Sequence, residues 1–346
     1  PEARLEPPRG DPDARLVADQ RTWRLLADDV AAGMDAFGRG RLRVRDDLHL
    51  GVGLLAATSS EGEPGRLRFG RIGAGGHEIA YCEAGEGPPL VCIHGLGGTK
   101  ASFLPTLAAV APEGHRVIAI DLPGFGDSDK PHAAPFDAPW YADVIGDVLD
   151  AFGFERASFA GNSMGGRIAL ELGMCRSERV DRLVLLAAHQ HAVGPVDGDP
   201  IVRRVVPGGD RGWTAAGIDE FLRGYLTPAG RYAFYECARN IYLDEPYGRE
   251  GFWTRLKKLD SRSLFVWGRQ DVLVPISFMR HVERALPAVA HLELDCGHVP
   301  QIERPEICPV PGVPSPAICA SSPMSSGRPP PSSIRCTILN SHAAPS

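Results

Sequence analysis

From about residue 67 the chain alternates between two kinds of hydrophobic spacing. Short apolar runs of strand length appear as RLRFGRI, HEIAYCEA, PLVCIHG, RVIAIDL, RASFAG, RLVLLA, SLFVWG and HLELD. Between them, stretches near 101–111, 138–152, 164–175 and 276–286 place apolar residues three and four apart, the spacing of a helix with one buried face. Strand and helix in this order predict the α/β class: a mostly parallel sheet covered on both faces and opened by two antiparallel strands.

The alternation breaks between about 189 and 258, a stretch too long for an ordinary connection and therefore an expected insertion. GIDEFLRGYL and RYAFYECARNIYL predict a mainly helical cap, with Trp213, Phe221, Tyr225, Tyr232, Phe234, Tyr235 and Tyr242 as its aromatic surface. Near the start, Leu16, Trp23, Leu26, Val30, Met34 and Phe37 form a stripe that predicts one amphipathic helix over 13–37, packed on the body of the protein. The following GRGRLRVR lacks interleaved aromatics and runs into Asp46 and Asp47, so it reads as a solvated strand face and not as a nucleic-acid arm. After Glu306, eighteen of forty residues are proline or serine, which predicts disorder and, given the abrupt change, a foreign end. The expected division is an N-terminal extension over 1–64, an α/β domain over 65–306 with its cap at 189–258, and a tail over 307–346.

Composition narrows the function classes. A 43% hydrophobic fraction over 346 residues suffices for a large core, and a net charge of −6 gives no general attraction to nucleic acid or anionic lipid. No stretch has the roughly 18 continuous apolar residues of a membrane span. The eight cysteines are scattered without CxxC pairs, and no secretory signal follows Pro1, so the expected setting is reducing and cytoplasmic.

The candidate chemistry starts in FAGNSMGGRIAL, residues 159–170, where Ser163 stands between Gly161 and Gly165. A side chain at the tip of a tight strand-to-helix turn needs a positive φ, and bulk two residues away on either side would collide with the backbone; glycines provide the clearance. A serine hydroxyl also needs a base and an anion to orient that base. FVWGRQDVLVP delivers Asp271 just beyond one strand and LELDCGHVP delivers His298 just beyond another, in the order Ser, Asp, His. VCIHGLGG ends a third strand in a glycine loop, so the backbone N–H groups of Leu96 and Met164 are the expected oxyanion donors. The same loop does not complete a phosphate-binding pattern. His94 is expected to bond backbone within the loop, and the His189–His191 pair is only a weak metal signal for want of a third ligand nearby.

Five segments, HGLGG, DLPGFGDSD, GNSMGG, WGRQDVLVP and GHVPQIERPE, ordered across residues 67–306, resemble the α/β-hydrolase superfamily. The resemblance implies an eight-stranded sheet, a cap after the sixth strand, a triad of Ser163, Asp271 and His298, structural roles for Asp121 and Asp127, and no metal or organic cofactor. It also implies a last helix after the histidine loop, which the proline-serine tail replaces, leaving His298 short of one brace. A serine nucleophile sets aside the aspartate-dependent dehalogenases and epoxide hydrolases. The expectation is hydrolysis of small carboxylic esters of short to medium acyl chain through an acyl-enzyme on Ser163. The alternative is carbon–carbon bond hydrolysis of aromatic meta-cleavage products, which GNSMGG and DLPGFGDSDKP resemble, although Val299 stands where that branch usually has tryptophan and GLGGTKASF lacks its proline. A non-catalytic small-molecule receptor is the reading from a different class.

Overall fold

The computed structural model describes residues 14–28, 32–46, 48, 51, 52, 55, 66–188, 211–304, 339 and 340. The N-terminal expectation needs correction. Instead of one helix there is a strand β1 (Ala14–Ala18), two helices α1 (Gln20–Asp28) and α2 (Gly33–Gly38), and a strand β2 (Leu42–Asp46) antiparallel to β1. The cause is Asp19, whose carboxylate accepts from Thr22 N at 2.7 Å and caps a helix that starts only after it. Leu16 consequently pairs with Val44 in a strand, and Trp23 is exposed while Leu26 and Phe37 are buried. In β2 Leu42 and Val44 point inward and Arg43 outward, as the alternation of GRGRLRVR requires.

Eight strands build the main sheet: β3 (Arg66–Ala74), β4 (His77–Ala84), β5 (Pro89–Ile93), β6 (Arg116–Ile120), β7 (Ala157–Asn162), β8 (Val180–Leu186), β9 (Arg262–Gly268) and β10 (Ala290–Leu294). Their spatial order is β10-β9-β8-β7-β5-β6-β4-β3, parallel from β10 to β6 and antiparallel at β4 and β3. A two-residue strand β11 (Leu339–Asn340) runs parallel to β3 at the edge; the rest of the expected tail lies outside the described residues.

The central strands β5 to β8 are buried and mostly apolar on both faces of the sheet because both faces are covered. Val91 and Ile93 of β5 enter one core with helices α4 (Ala138–Phe152) and α5 (Met164–Cys175); Leu90 and Cys92 enter the other with Phe103, helix α3 (Leu104–Val110) and the N-terminal Phe37, Leu42 and Val44. The N-terminal segment therefore covers part of the second face of the sheet. Helices α6 (Arg211–Tyr225), α7 (Pro228–Asn240) and α8 (Phe252–Leu256) are inserted between β8 and β9, and an Arg45–Asp219 ion pair joins β2 to α6. Further helices are α9 (Met279–Ala285) and α10 (Pro300–Glu303). Among the described residues no helix is long and apolar enough to cross a membrane.

Candidate active site

Strand β7 ends at Asn162 and α5 begins at Met164, so Ser163 alone reverses the chain, with φ 52° and ψ −114°. Few non-glycine residues hold such a backbone, and its cost of order 1–3 kcal/mol persists only where the surroundings enforce it. The enforcement is visible. Ser163 N donates to Leu186 O at 2.8 Å, a Cβ on Gly161 would strike the backbone of Gly165, and one on Gly165 would strike the carbonyls of Ile93 and His94. Clearance is the reason for both glycines.

Asp271 follows β9. Its Oδ1 accepts from Leu273 N at 2.8 Å and Val274 N at 2.9 Å, which leaves Oδ2 to face His298 Nδ1 at 2.8 Å. Both side chains are almost fully buried, at 1% and 7% exposure, so water competes little for this contact. The carboxylate fixes the imidazole with Nδ1 as donor and leaves Nε2 for a reacting group. Among the described residues no hydrogen bond joins Ser163 Oγ to His298. Asn162 links the two loops instead, donating from Nδ2 to His298 O at 2.9 Å and to Leu186 O at 3.1 Å.

The loop after β5 closes with Gly98 N donating to Gly95 O at 2.9 Å, and Gly97 takes φ 73°. Leu96 is then the first central residue of a turn whose own hydrogen bond leaves its N–H unused. Met164 N–H opens α5, where no earlier carbonyl of that helix can accept it. His94 Nδ1 donates to Gly95 O at 2.7 Å while Nε2 accepts from Leu122 N at 3.0 Å, so both ring nitrogens are committed to backbone, and burial holds the ring in its neutral form.

The inserted helices close over this loop. A Cβ on Gly97 would come within 2.6 Å of Phe221 and 3.2 Å of Phe234, and a small, partly open pocket is lined by Phe125, Glu220, Phe221, Tyr225 and Phe234 against Gly97 and Gly98. Tyr242 brings its hydroxyl within hydrogen-bonding reach of Ser163, and burial keeps that phenol protonated well above its ordinary range. The side chains of His189, His191 and Trp213 lie outside the described residues.

Several of these partners left no mark in the sequence reading. Lys100 is buried, and its Nζ donates to Asp121 and Asp127, each at 2.7 Å; Asp127 also accepts from Arg223 of α6 at 3.0 Å. Burial disfavours the Lys100 charge, but the two carboxylates outweigh it and hold the ammonium above its usual range. Asp121 and Asp127 thus have a structural partner. Asn162 and Glu303 were quoted only inside motifs, and Glu303 proves to accept from Gly297 N at 3.0 and 2.9 Å and from Val299 N at 3.3 Å. Its place five residues after His298 was the available signal. Among the described residues no group of three or more His, Cys, Asp and Glu side chains is arranged to hold a metal ion.

Comparison with known proteins agrees with this architecture. Residues 88–218 match the family model of the alpha/beta hydrolase fold. The chain is 30% identical over 253 residues to the 2-hydroxymuconate semialdehyde hydrolase of Pseudomonas putida, spanning 67% of this chain and 88% of that protein. It is 28% identical to the 2-hydroxy-6-oxo-6-phenylhexa-2,4-dienoate hydrolase of Comamonas testosteroni, over 65% of this chain and 86% of the relative. The solved structure of the 2-hydroxy-6-oxo-6-phenylhexa-2,4-dienoate hydrolase from a Rhodococcus species superposes with a TM-score of 0.59 at 25% identity, covering 69% of this chain and 95% of that one. The chain belongs to the α/β-hydrolase superfamily and is a hydrolase.

These relatives overturn the expectation of carboxylic ester cleavage, because they are named for ring-cleavage dienoates and semialdehydes. The similarity holds although Val299 follows His298 and the loop GLGGTKASF lacks proline. Both activities need the same nucleophile, base and oxyanion donors, and two neighbouring positions do not separate them.

Proposed function

We propose that this protein hydrolyses the carbon–carbon bond of 2-hydroxy-6-oxo-dienoates, the products of meta cleavage of an aromatic ring. In this reading Ser163 is the nucleophile, His298 the general base and acid, Asp271 the group that orients His298, and the N–H groups of Leu96 and Met164 the oxyanion donors. The observation that carries the substrate class is the 28–30% identity to hydrolases of such compounds over most of their length.

The chemistry follows from where the electrons must go. Ser163 Oγ adds to the C6 carbonyl as His298 Nε2 takes its proton, and the oxyanion is met by two N–H donors, each typically contributing 10²–10³ in rate. The C5–C6 bond then breaks with its electron pair on C5. That pair is tolerable only when the 2-hydroxyl has first become a ketone, since the leaving fragment is then a conjugated enolate. C5 has gained its proton in that ketonisation, so the departing dienolate takes the proton held by His298 on its 2-oxygen, and water, deprotonated by His298, then releases the acyl group from Ser163. One water is consumed, and the products are a carboxylic acid and a 2-hydroxydienoate.

Absorbance of the extended dienolate provides the test. With 2-hydroxy-6-oxo-6-phenylhexa-2,4-dienoate the protein is expected to bleach the chromophore and to release benzoate in equal amount. Persistence of the chromophore with this substrate and with the methyl and unsubstituted analogues would overturn the proposal.

A further inference from the structure

The loop that carries His298 sits between β10 and the short α10, and its geometry depends on one buried carboxylate. Glu303 is 7% exposed, and its two oxygens receive the N–H of Gly297 at 3.0 and 2.9 Å while Oε1 also receives the N–H of Val299 at 3.3 Å. These are the amides on either side of His298. The carbonyl of His298 itself receives Asn162 Nδ2 at 2.9 Å, so three consecutive residues are held by side chains from two separate elements. Glu303 N closes the circuit by donating to Val299 O at 3.1 Å.

We propose that Glu303 is a positioning residue for His298: by gathering the amides of Gly297 and Val299 on one carboxylate, it sets the height and tilt of the imidazole over Ser163. The argument is steric and electrostatic. Asp271 constrains Nδ1 alone, and a ring anchored at one nitrogen still swings if its backbone moves. Bonds from two flanking amides to one carboxylate remove that freedom, and a hydrogen bond to an ionised acceptor is stronger than a neutral one. A displacement of about 1 Å at a catalytic group costs on the order of 10²-fold in rate, so a residue without contact to substrate can control turnover. The inference rests on the reading of His298 as the general base.

The test compares Glu303→Ala, Glu303→Gln and wild type in the full chain, first by phosphonylation of Ser163 with a fluorophosphonate and then by dienoate turnover. Phosphonylation needs the nucleophile and a placed base but no particular substrate. The expected result is a fall of about 10²-fold in phosphonylation rate and in kcat for the alanine variant, with KM within about twofold, and recovery to within about tenfold for glutamine, whose remaining carbonyl still accepts an amide. Wild-type rates in a thermally destabilised alanine variant would overturn the proposal, because Glu303 would then only stabilise the fold. If the alanine variant does not fold, the glutamine and Glu303→Asp variants decide, with a kcat loss and unchanged KM in support and unchanged kcat against. A wild type that is phosphonylated but leaves dienoates intact would refute the proposed substrate class and leave the Glu303 result standing.

Discussion

Asp271 Oδ2 lies 2.8 Å from His298 Nδ1, while the other oxygen of the same carboxylate is held by two backbone amides. The contact joins residues from the ends of neighbouring strands β9 and β10, so the sheet fixes where the imidazole stands. Replacing Asp271 by asparagine preserves the shape and presents an amide N–H or the wrong charge to Nδ1. The expected outcome is a drop in kcat of about 10⁴-fold with little change in folding. Steady-state kinetics and a thermal melt on the same sample check both halves.

Ser163→Ala removes the attacking oxygen at a strained position. Turnover of the dienoate is expected to fall by about 10⁴-fold or more, while the fold persists, since alanine needs no more space than serine. Retention of more than a few per cent of wild-type kcat would contradict the role given to Ser163.

Gly161→Ala and Gly165→Ala place a methyl group against backbone, which cannot yield as a flexible side chain can. Each is expected to destabilise the protein by about 2–3 kcal/mol or more and to abolish activity through movement of the serine turn. Chemical denaturation of the purified variants measures this directly.

Lys100 neutralises the fully buried Asp121, so Lys100→Met leaves that charge unpaired, at an expected loss of about 3–5 kcal/mol. The pH dependence has a definite sign. Burial would raise the Asp121 carboxyl, but the Lys100 ammonium and the N–H of Asp127 outweigh it, and the folded value lies below the ordinary one; Asp127 is lowered in the same way by Lys100 and Arg223. A carboxyl lowered on folding contributes stability above its unfolded value, near 4, that fades as pH falls through the folded value. The gap in stability between wild type and Lys100→Met is therefore expected to narrow from about pH 5 downward. Denaturation curves at pH 7, 5 and 3 test this, and a constant gap would count against the network.

The sheet was legible because its strands are short runs built around apolar residues while α4 and α5 carry apolar residues at helical spacing; α4 and α5 fall on 138–152 and 164–175. The strand-end positions of Ser163, Asp271 and His298 followed from local patterns. What joins them did not. The Asn162–His298 bond spans 136 residues and the Lys100–Asp121 pair 21, and such pairings appear only when the chain is folded. The N-terminal stripe misled because a period that fits a helix says nothing of Asp19 as a cap. The reaction itself was misread for a related reason. Ester and carbon–carbon cleavage differ in what the leaving fragment does with its electrons, and the shared nucleophile motif does not record that.

The central claim is a covalent bond between Ser163 and the acyl half of a ring-cleavage product. Rapid acid quench of the protein with the phenyl-substituted dienoate, followed by proteolysis and mass spectrometry, observes it directly. The account predicts one benzoyl group on the peptide that contains Ser163, appearing and decaying within the time of turnover. Consumption of the dienoate with that peptide never acylated, or with the acyl group on another residue, would contradict it.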